Sequence, residues 1–140
     1  SIAPPALTAE FRKVHQYLTF SSFTPAQHAV ARMLAEQPQH YLELPAFYQG
    51  KRDGFRALLE ETRFRLPPVP GGYFQLGDYS AISDMGDVEF CRWLTREKGV
   101  AAIPLSPFYA APPREQRLIR FCFAKSDATQ RAAAERLRNI

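Results

Sequence analysis

LIRFCFA, residues 118–124, is one of the most apolar stretches of this chain, and it holds an arginine, Arg120, near its centre. A short run of aromatic and branched residues that is closed by Ser126-Asp127 predicts a strand leading into a helix. On that strand Arg120 would share one face with Leu118 and Cys122, and larger apolar residues would line the other face. The strand therefore surrounds a charged side chain with apolar ones.

A guanidinium in such a position needs a partner, because removing water from it costs several kcal/mol. One interpretation of Arg120 is that it binds an anion that arrives with a ligand, since its planar set of donors grips a carboxylate bidentately. The other interpretation is that Arg120 faces solvent on an edge strand or closes an internal salt bridge. The strand alone leaves both interpretations open.

Apolar spacing elsewhere in the chain predicts helices over about 6–19, 24–36, 39–63, 87–98 and 126–140. Thr24 and Ser126 are predicted N-caps, and Pro25 suits the first position of its helix. Pro45 is expected to kink or split the third helix, and Gly99 to end the fourth.

Short strands are predicted at 64–66, 73–79 and 100–103, and a proline-rich loop over 104–116 precedes the strand that carries Arg120. This order predicts an α+β fold in two layers, with helices on one face of a three- or four-stranded sheet. The first two helices have a pattern too exposed for that small sheet, so residues 1–36 are assigned to a region that packs on another domain. Residues 37–140 are assigned to the small α+β domain.

The composition indicates a globular protein, with 46% hydrophobic and 23% charged residues. Because the net charge of +4 is mild and the basic residues are scattered, nucleic acid is not an expected partner. No apolar run approaches the length of a membrane span and no leader pattern opens the chain, so we expect a cytoplasmic protein without a membrane partner. The chain begins at Ser1 without a methionine, and we expect it to be a piece of a longer polypeptide.

Side chains suited to metal or covalent chemistry are sparse. Cys91 and Cys122 lie in apolar runs and are expected to be small core residues of a reduced protein. The histidines lack the spacing of metal ligands, and neither a nucleophile elbow nor a phosphate loop is present. The lysines fall on polar helix faces or at element ends, so none is expected to form a Schiff base: Lys13, Lys51, Lys98 and Lys125.

Two aromatic segments each have two interpretations. Tyr17, Phe20 and Phe23 flank small polar residues, and they are either core aromatics at a helix junction or a cluster that inserts into a partner. The loop segment PLSPFY, residues 104–109, either borders a binding site or is a surface connector stiffened by proline.

Several segments in this order resemble the fold-type I pyridoxal-phosphate aminotransferases, and in particular their methionine/kynurenine (glutamine-phenylpyruvate) branch. These segments are HQYLTFS at 15–21, TPAQ at 24–27, GYF at 72–74, GVAAIPLSPFY at 99–109 and LIRFCFAK at 118–125. Each motif alone is weak, but the ordered set is specific and covers essentially the whole chain.

The resemblance implies that this chain is the C-terminal portion of a dimeric aminotransferase, comprising interdomain helices and the small C-terminal domain. Carried over by position, Arg120 would bind the α-carboxylate of the substrate, and Phe20 and Ser21 would line the pocket of the neighbouring subunit. The substrates would be a bulky apolar, aromatic or sulfur-containing amino acid and a 2-oxo acid. The cofactor implied is pyridoxal 5'-phosphate.

The family's Schiff-base lysine and the motif around it are not found in this chain. The resemblance therefore implies that the chain alone is inactive and binds no pyridoxal phosphate, with no cofactor-binding or catalytic residue of its own. The alternative function is a stand-alone α+β binding module for an anionic ligand or a protein partner.

Overall fold

The computed structural model describes residues 2–140. It divides into two compact units, and the boundary lies between Glu43 and Leu44. Six α-helices and one three-stranded sheet make up the described elements. The sequence assignment of residues 1–36 to a region that packs on another domain stays a prediction.

The first unit contains three helices: α1 (Pro5–Leu18), α2 (Thr24–Glu36) and α3 (Pro38–Leu42). Each has a proline in its first turn, where the missing amide costs no helical hydrogen bond. The first two helices confirm the predicted ones, but Thr24 is not the N-cap. Thr24 is already helical, Phe23 occupies the cap position, and no side chain caps this end.

The second unit, Leu44–Ile140, alternates helices with short strands. Its elements in chain order are α4 (Leu44–Leu59), β1 (Phe74–Asp78), α5 (Asp87–Lys98), β2 (Ile103–Pro104), a 3₁₀ turn (Ser106–Phe108), β3 (Leu118–Cys122) and α6 (Asp127–Leu137). The predicted break near Pro45 is confirmed, since helix ends at Leu42 and resumes at Leu44. The predicted cap of α6 is also confirmed, because the Ser126 hydroxyl accepts from the Thr129 amide at 3.2 Å.

The predicted strand at 64–66 is wrong, and the one at 100–103 is confirmed only at Ile103, where β2 begins. Residues 64–66 form only an isolated bridge, from Arg65 to Asp78. Residues 100–102 are not in a strand, because the chain there still completes the end of α5. Gly99 adopts a left-handed conformation at the C-cap, and the amide of Val100 donates to the carbonyl of Leu94 at 3.3 Å.

The sheet is antiparallel with the order β1-β3-β2, so β3 is its central strand. Exposure alternates along β3: Ile119 and Phe121 are buried, while Leu118, Arg120 and Cys122 are half-buried. The buried face of β3 joins residues of α4, α5 and α6 in one core, as the two-layer prediction requires. The core residues are Phe55, Leu59, Phe64, Tyr79, Phe90, Cys91, Leu94, Val100, Ile119, Phe121, Phe123, Ala134 and Leu137.

Both cysteines are free thiols, and Cys91 belongs to the core as predicted, whereas the prediction is wrong for Cys122, which is half-buried on the other face of β3. Within residues 2–140, the helices are all too short or too polar to cross a bilayer. No group of three or more metal-ligating side chains comes together in the same described range.

Candidate functional site

The backbone of Arg120 is fixed on both sides by antiparallel neighbours. Leu76 of β1 and Ile103 of β2 are its partners in the sheet register. Since successive side chains alternate in direction, Arg120 lies on the face opposite to Ile119 and Phe121, away from the core. The position is therefore central in the sheet, half-buried and on the face away from the core.

Two aromatic rings flank the guanidinium of Arg120. Its Cζ atom lies 4.0 Å from the ring centroid of Phe74 and 5.1 Å from that of Phe108. Such cation–π contacts contribute about 0.5–2 kcal/mol each, and more when water is excluded. They attract the charge but leave its N–H groups free to donate elsewhere.

The Nε atom of Arg120 is buried and has no hydrogen-bond partner among the described residues. No ion pair within residues 2–140 involves Arg120 either. A buried charged donor without an acceptor is costly, and few such groups occur in folded proteins. The edge-strand and salt-bridge interpretations of Arg120 are thus wrong for the described chain, because β3 is the central strand and no carboxylate among these residues pairs with Arg120.

The segment 104–109 lies next to Arg120, with the Phe108 ring 5.1 Å from Cζ, and its role as the border of a binding site stays a prediction. The Phe108 amide donates to the Leu105 carbonyl at 3.0 Å, and the Tyr109 amide donates to the Ser106 carbonyl at 3.1 Å. This turn brings the exposed Phe108 ring to the guanidinium.

Asp87, the first residue of α5, fastens that turn. Its Oδ2 accepts from the Ser106 amide at 2.6 Å and its Oδ1 accepts from the Ser106 hydroxyl at 2.8 Å. Burial acts to raise the pKa of Asp87, but the hydrogen bonds from Ser106 and from the Val88 amide outweigh it and hold that pKa below its ordinary value. The sequence marks Asp87 only as a helix start and Phe74 only as part of a strand, so sequence alone does not predict either as a site residue.

Phe20 and Ser21 lie in the first unit, on the bend that follows α1. Phe20 has a φ of 62°, in the left-handed region that residues other than glycine rarely adopt. The bend is held by hydrogen bonds from the Phe20 amide to the His15 carbonyl at 3.0 Å and from the Ser21 amide to the Thr19 carbonyl at 2.7 Å. Because Tyr17, Phe20 and Phe23 are 86%, 80% and 73% exposed, they are not core aromatics of this chain. Their contact with a neighbouring subunit stays a prediction.

The lysines of the chain do not form a second reactive site. Lys13 pairs with Glu10 at 2.7 Å, and Lys51 pairs with Asp127. Lys98 donates to the Asn139 carbonyl at 3.3 Å, and Lys125 is exposed. Each lysine therefore has a carboxylate or carbonyl partner or lies exposed.

Comparison with known proteins gives one consistent family. The model of the family "Aminotransferase class I and II" matches residues 2–137. The methionine aminotransferase of Escherichia coli K12 is 58% identical over 139 residues, which cover 99% of this chain and 36% of that protein. The human kynurenine–oxoglutarate transaminase 3 is 35% identical over 154 residues, which cover 96% of this chain and 34% of that protein.

The fold agrees with the same family. A crystal structure from Escherichia coli, described as having a methionine aminotransferase function, superposes with a TM-score of 0.89 at 58% identity and covers 99% of this chain. The chain spans about 36% of the length of that structure. On the family match across residues 2–137 and on this superposition, the chain belongs to the class I and II aminotransferases.

Proposed function

We propose that this chain is the C-terminal part of a pyridoxal-phosphate-dependent aminotransferase, and that Arg120 binds the substrate α-carboxylate there. The observation that carries the proposal is the buried Nε of Arg120 without an acceptor, next to the rings of Phe74 and Phe108. A carboxylate supplies the two oxygens that such a guanidinium lacks.

Arg120 would orient the substrate as well as bind it. A bidentate grip fixes the plane and the direction of the carboxylate, and so restricts where the amino group and Cα of the same molecule can lie. Because the strand pairs on both sides, the sheet holds the arginine in place before the substrate arrives. Such preorganisation lowers the entropy lost on binding.

Pyridoxal phosphate, when bound, supplies the electron sink for amino-group transfer. The residues of this chain fit the substrate side of such a site and not the cofactor side. The unpartnered donor of Arg120 suits a carboxylate, whereas the lysines are ion-paired, hydrogen-bonded to a carbonyl or exposed. The cofactor would therefore be held by residues outside this chain, and the chain alone would be inactive.

The proposed substrates are a bulky apolar, aromatic or sulfur-containing amino acid and a 2-oxo acid. Relatives named for methionine and for kynurenine support this class. The aromatic surface beside the carboxylate site supports it too, since Phe108 is 65% exposed and free to contact an apolar side chain. The comparisons do not favour a stand-alone binding module.

The proposed enzyme is a homodimer in which Phe20 and Ser21 line the pocket of the neighbouring subunit. The support is local: an exposed aromatic side chain sits on a bend in a sparsely populated backbone conformation. Strained backbone of this kind is concentrated at functional sites.

The test is Arg120→Gln in the full-length enzyme. We expect kcat/KM for an amino-acid donor to fall. The expected loss of transition-state binding energy is about 2–5 kcal/mol, the range for truncating one partner of a buried charge pair. That range corresponds to roughly 30-fold to several thousand-fold. Arg131→Gln is the matched control, because Arg131 is exposed on α6. Unchanged kinetics in Arg120→Gln would contradict the proposal.

A further inference from the structure

We infer that Asp87 is a positioning residue of this site: through Ser106 it holds the turn that carries Phe108 against Arg120, and thereby sets the affinity for the substrate carboxylate. This inference rests on the proposed function of Arg120. It assigns a task in that function to a residue that never touches the substrate.

The first step is the contact between α5 and the turn. Asp87 receives both donors of one residue, the amide of Ser106 at 2.6 Å and its hydroxyl at 2.8 Å, on two different carboxylate oxygens. The Val88 amide adds a third hydrogen bond, to Oδ1 at 2.9 Å. Such a bidentate arrangement fixes the orientation of Ser106 and not only its distance from α5.

The second step leads from Ser106 to Phe108. Ser106 is the first residue of the one-turn 3₁₀ helix, and its carbonyl accepts from the Tyr109 amide at 3.1 Å. Phe108 lies between these two residues in sequence, so the direction of its side chain follows from the turn. Phe108 is 65% exposed and is not part of the core, and core packing therefore does not hold it.

The third step leads from Phe108 to Arg120. The Phe108 ring lies 5.1 Å from Cζ, whereas the ring of Phe74 comes from the neighbouring strand and is fixed by the sheet. The Phe108 contact is thus the one that depends on the loop. Loss of the Asp87–Ser106 contact would release this ring, expose the guanidinium to water and weaken its attraction for a carboxylate.

The negative charge of Asp87 strengthens this contact. An ionised carboxylate accepts through both oxygens, while a carboxamide offers a single acceptor oxygen. Hydrogen bonds to a charged acceptor are also shorter and about twice as strong as neutral ones. An asparagine at this position would hold Ser106 only through weaker, neutral hydrogen bonds, with its oxygen accepting from the Ser106 amide and its NH2 donating to the Ser106 hydroxyl, and that NH2 could not accept from the Val88 amide.

A different reading of Asp87 is that it only stabilises the N-terminus of α5 as a charge near the helix dipole. Glu89 allows the two to be separated. It is also an acidic residue in the first turn of α5, it is exposed, and it makes no contact with Ser106 among the described hydrogen bonds. Glu89→Gln removes the same charge from the same helix end and leaves the turn alone.

The experiment uses the full-length enzyme and two competitive inhibitors, 3-phenylpropanoate and 3-phenylpropanol, which share the aromatic group and differ in the carboxylate. The variants are Asp87→Asn, Ser106→Ala, the double variant, Glu89→Gln and Arg120→Gln. We expect Asp87→Asn and Ser106→Ala each to raise the inhibition constant of the carboxylate roughly tenfold, because a loosened Phe108 ring exposes the guanidinium to water and weakens its attraction for the carboxylate. The constant for the alcohol should not change, and the double variant should match the single ones because the two residues act as a unit.

The outcomes separate this inference from the proposed function. If Arg120→Gln weakens the carboxylate selectively but Asp87→Asn and Ser106→Ala do not, the inference is overturned and the role of Arg120 stands. If Arg120→Gln has no selective effect, the proposed function itself fails. Equal weakening of both inhibitors, or the same effect in Glu89→Gln, would overturn the positioning role. Ser106→Ala retains the charge of Asp87 on α5, so it tests the inference even if Asp87→Asn is poorly folded.

Discussion

The guanidinium of Arg120 contacts aromatic rings, whereas a buried arginine nitrogen ordinarily donates to an oxygen atom. Phe74 and Phe108 lie within 4.0 and 5.1 Å of Cζ, yet Nε donates to no acceptor among the described residues. The alternation of LIRFC predicts the face on which Arg120 lies. It does not predict the unpartnered donor, since both rings come from other parts of the chain and their approach depends on tertiary structure.

A prediction at the scale of a single residue concerns Tyr79 at alkaline pH. The hydroxyl of this fully buried residue donates to the Met85 carbonyl at 2.9 Å, and its ring stacks on Phe90 with centroids 4.0 Å apart. Burial raises the pKa of Tyr79 to about 12. Below about pH 10, its ordinary value, the hydroxyl is protonated in both the folded and the unfolded chain. Its contribution to stability is complete there and is lost as the pH rises toward 12, because the unfolded chain ionises first.

The measurement is the free energy of unfolding from urea titrations at a series of pH values between 9 and 12, chosen to bracket this range. We expect it to fall with pH, and to fall less steeply in Tyr79→Phe. Cys91 contributes a similar loss, since burial raises its pKa to about 12, and that part remains in the variant. Tyr109→Phe, at a position 44% exposed, is the control and should keep the full slope. Equal slopes in all three proteins would rule out the titration of Tyr79.

At the scale of elements, the packing of β1 against the core depends on Gly77. An alanine Cβ there would lie 2.9 Å from Cε2 of Phe121 and 3.3 Å from Cδ1 of Phe64. Strand propensity alone favours alanine over glycine by roughly 0.5–1 kcal/mol. Overpacking a core costs about 1–3 kcal/mol, so we expect Gly77→Ala to be destabilising.

Gly71→Ala is the matched control for that change, because nothing lies within 4 Å of its added Cβ. The free energy of unfolding of the two variants provides the comparison. A Gly77→Ala protein as stable as Gly71→Ala would show that the rings of Phe121 and Phe64 shift without cost.

The element boundaries show where sequence reasoning succeeds. Both ends of α5 are predictable, since an acidic residue begins it and Gly99 ends it in a left-handed conformation. The structure of the residues that follow is less predictable. Val100 is β-branched and buried, as a strand residue would be, but its amide donates to the Leu94 carbonyl at the end of the helix. The contact between Asp87 and Ser106 is not predictable at all, since it depends on how the loop folds back onto α5.

At the scale of the whole molecule, the two units differ in how much they bury. Helices α1, α2 and α3 contain no buried residue, and Leu7, Phe11 and Val14 of α1 are more than half exposed. The second unit has a continuous core of its own. The family could be predicted from the sequence because its motifs occur in order along the chain. The ordered set is specific even though each motif alone is weak.

The central claim is that Arg120 binds the substrate carboxylate, and its most direct test is a crystal structure of the full-length enzyme with 3-phenylpropanoate bound. We expect a carboxylate oxygen at about 2.7–3.0 Å from Nε of Arg120 and the second oxygen at a similar distance from a terminal guanidinium nitrogen. The ring of Phe108 should remain against the guanidinium. A structure in which Nε of Arg120 pairs with a carboxylate of the protein, or in which the ligand's carboxylate is held by another residue, would contradict the account.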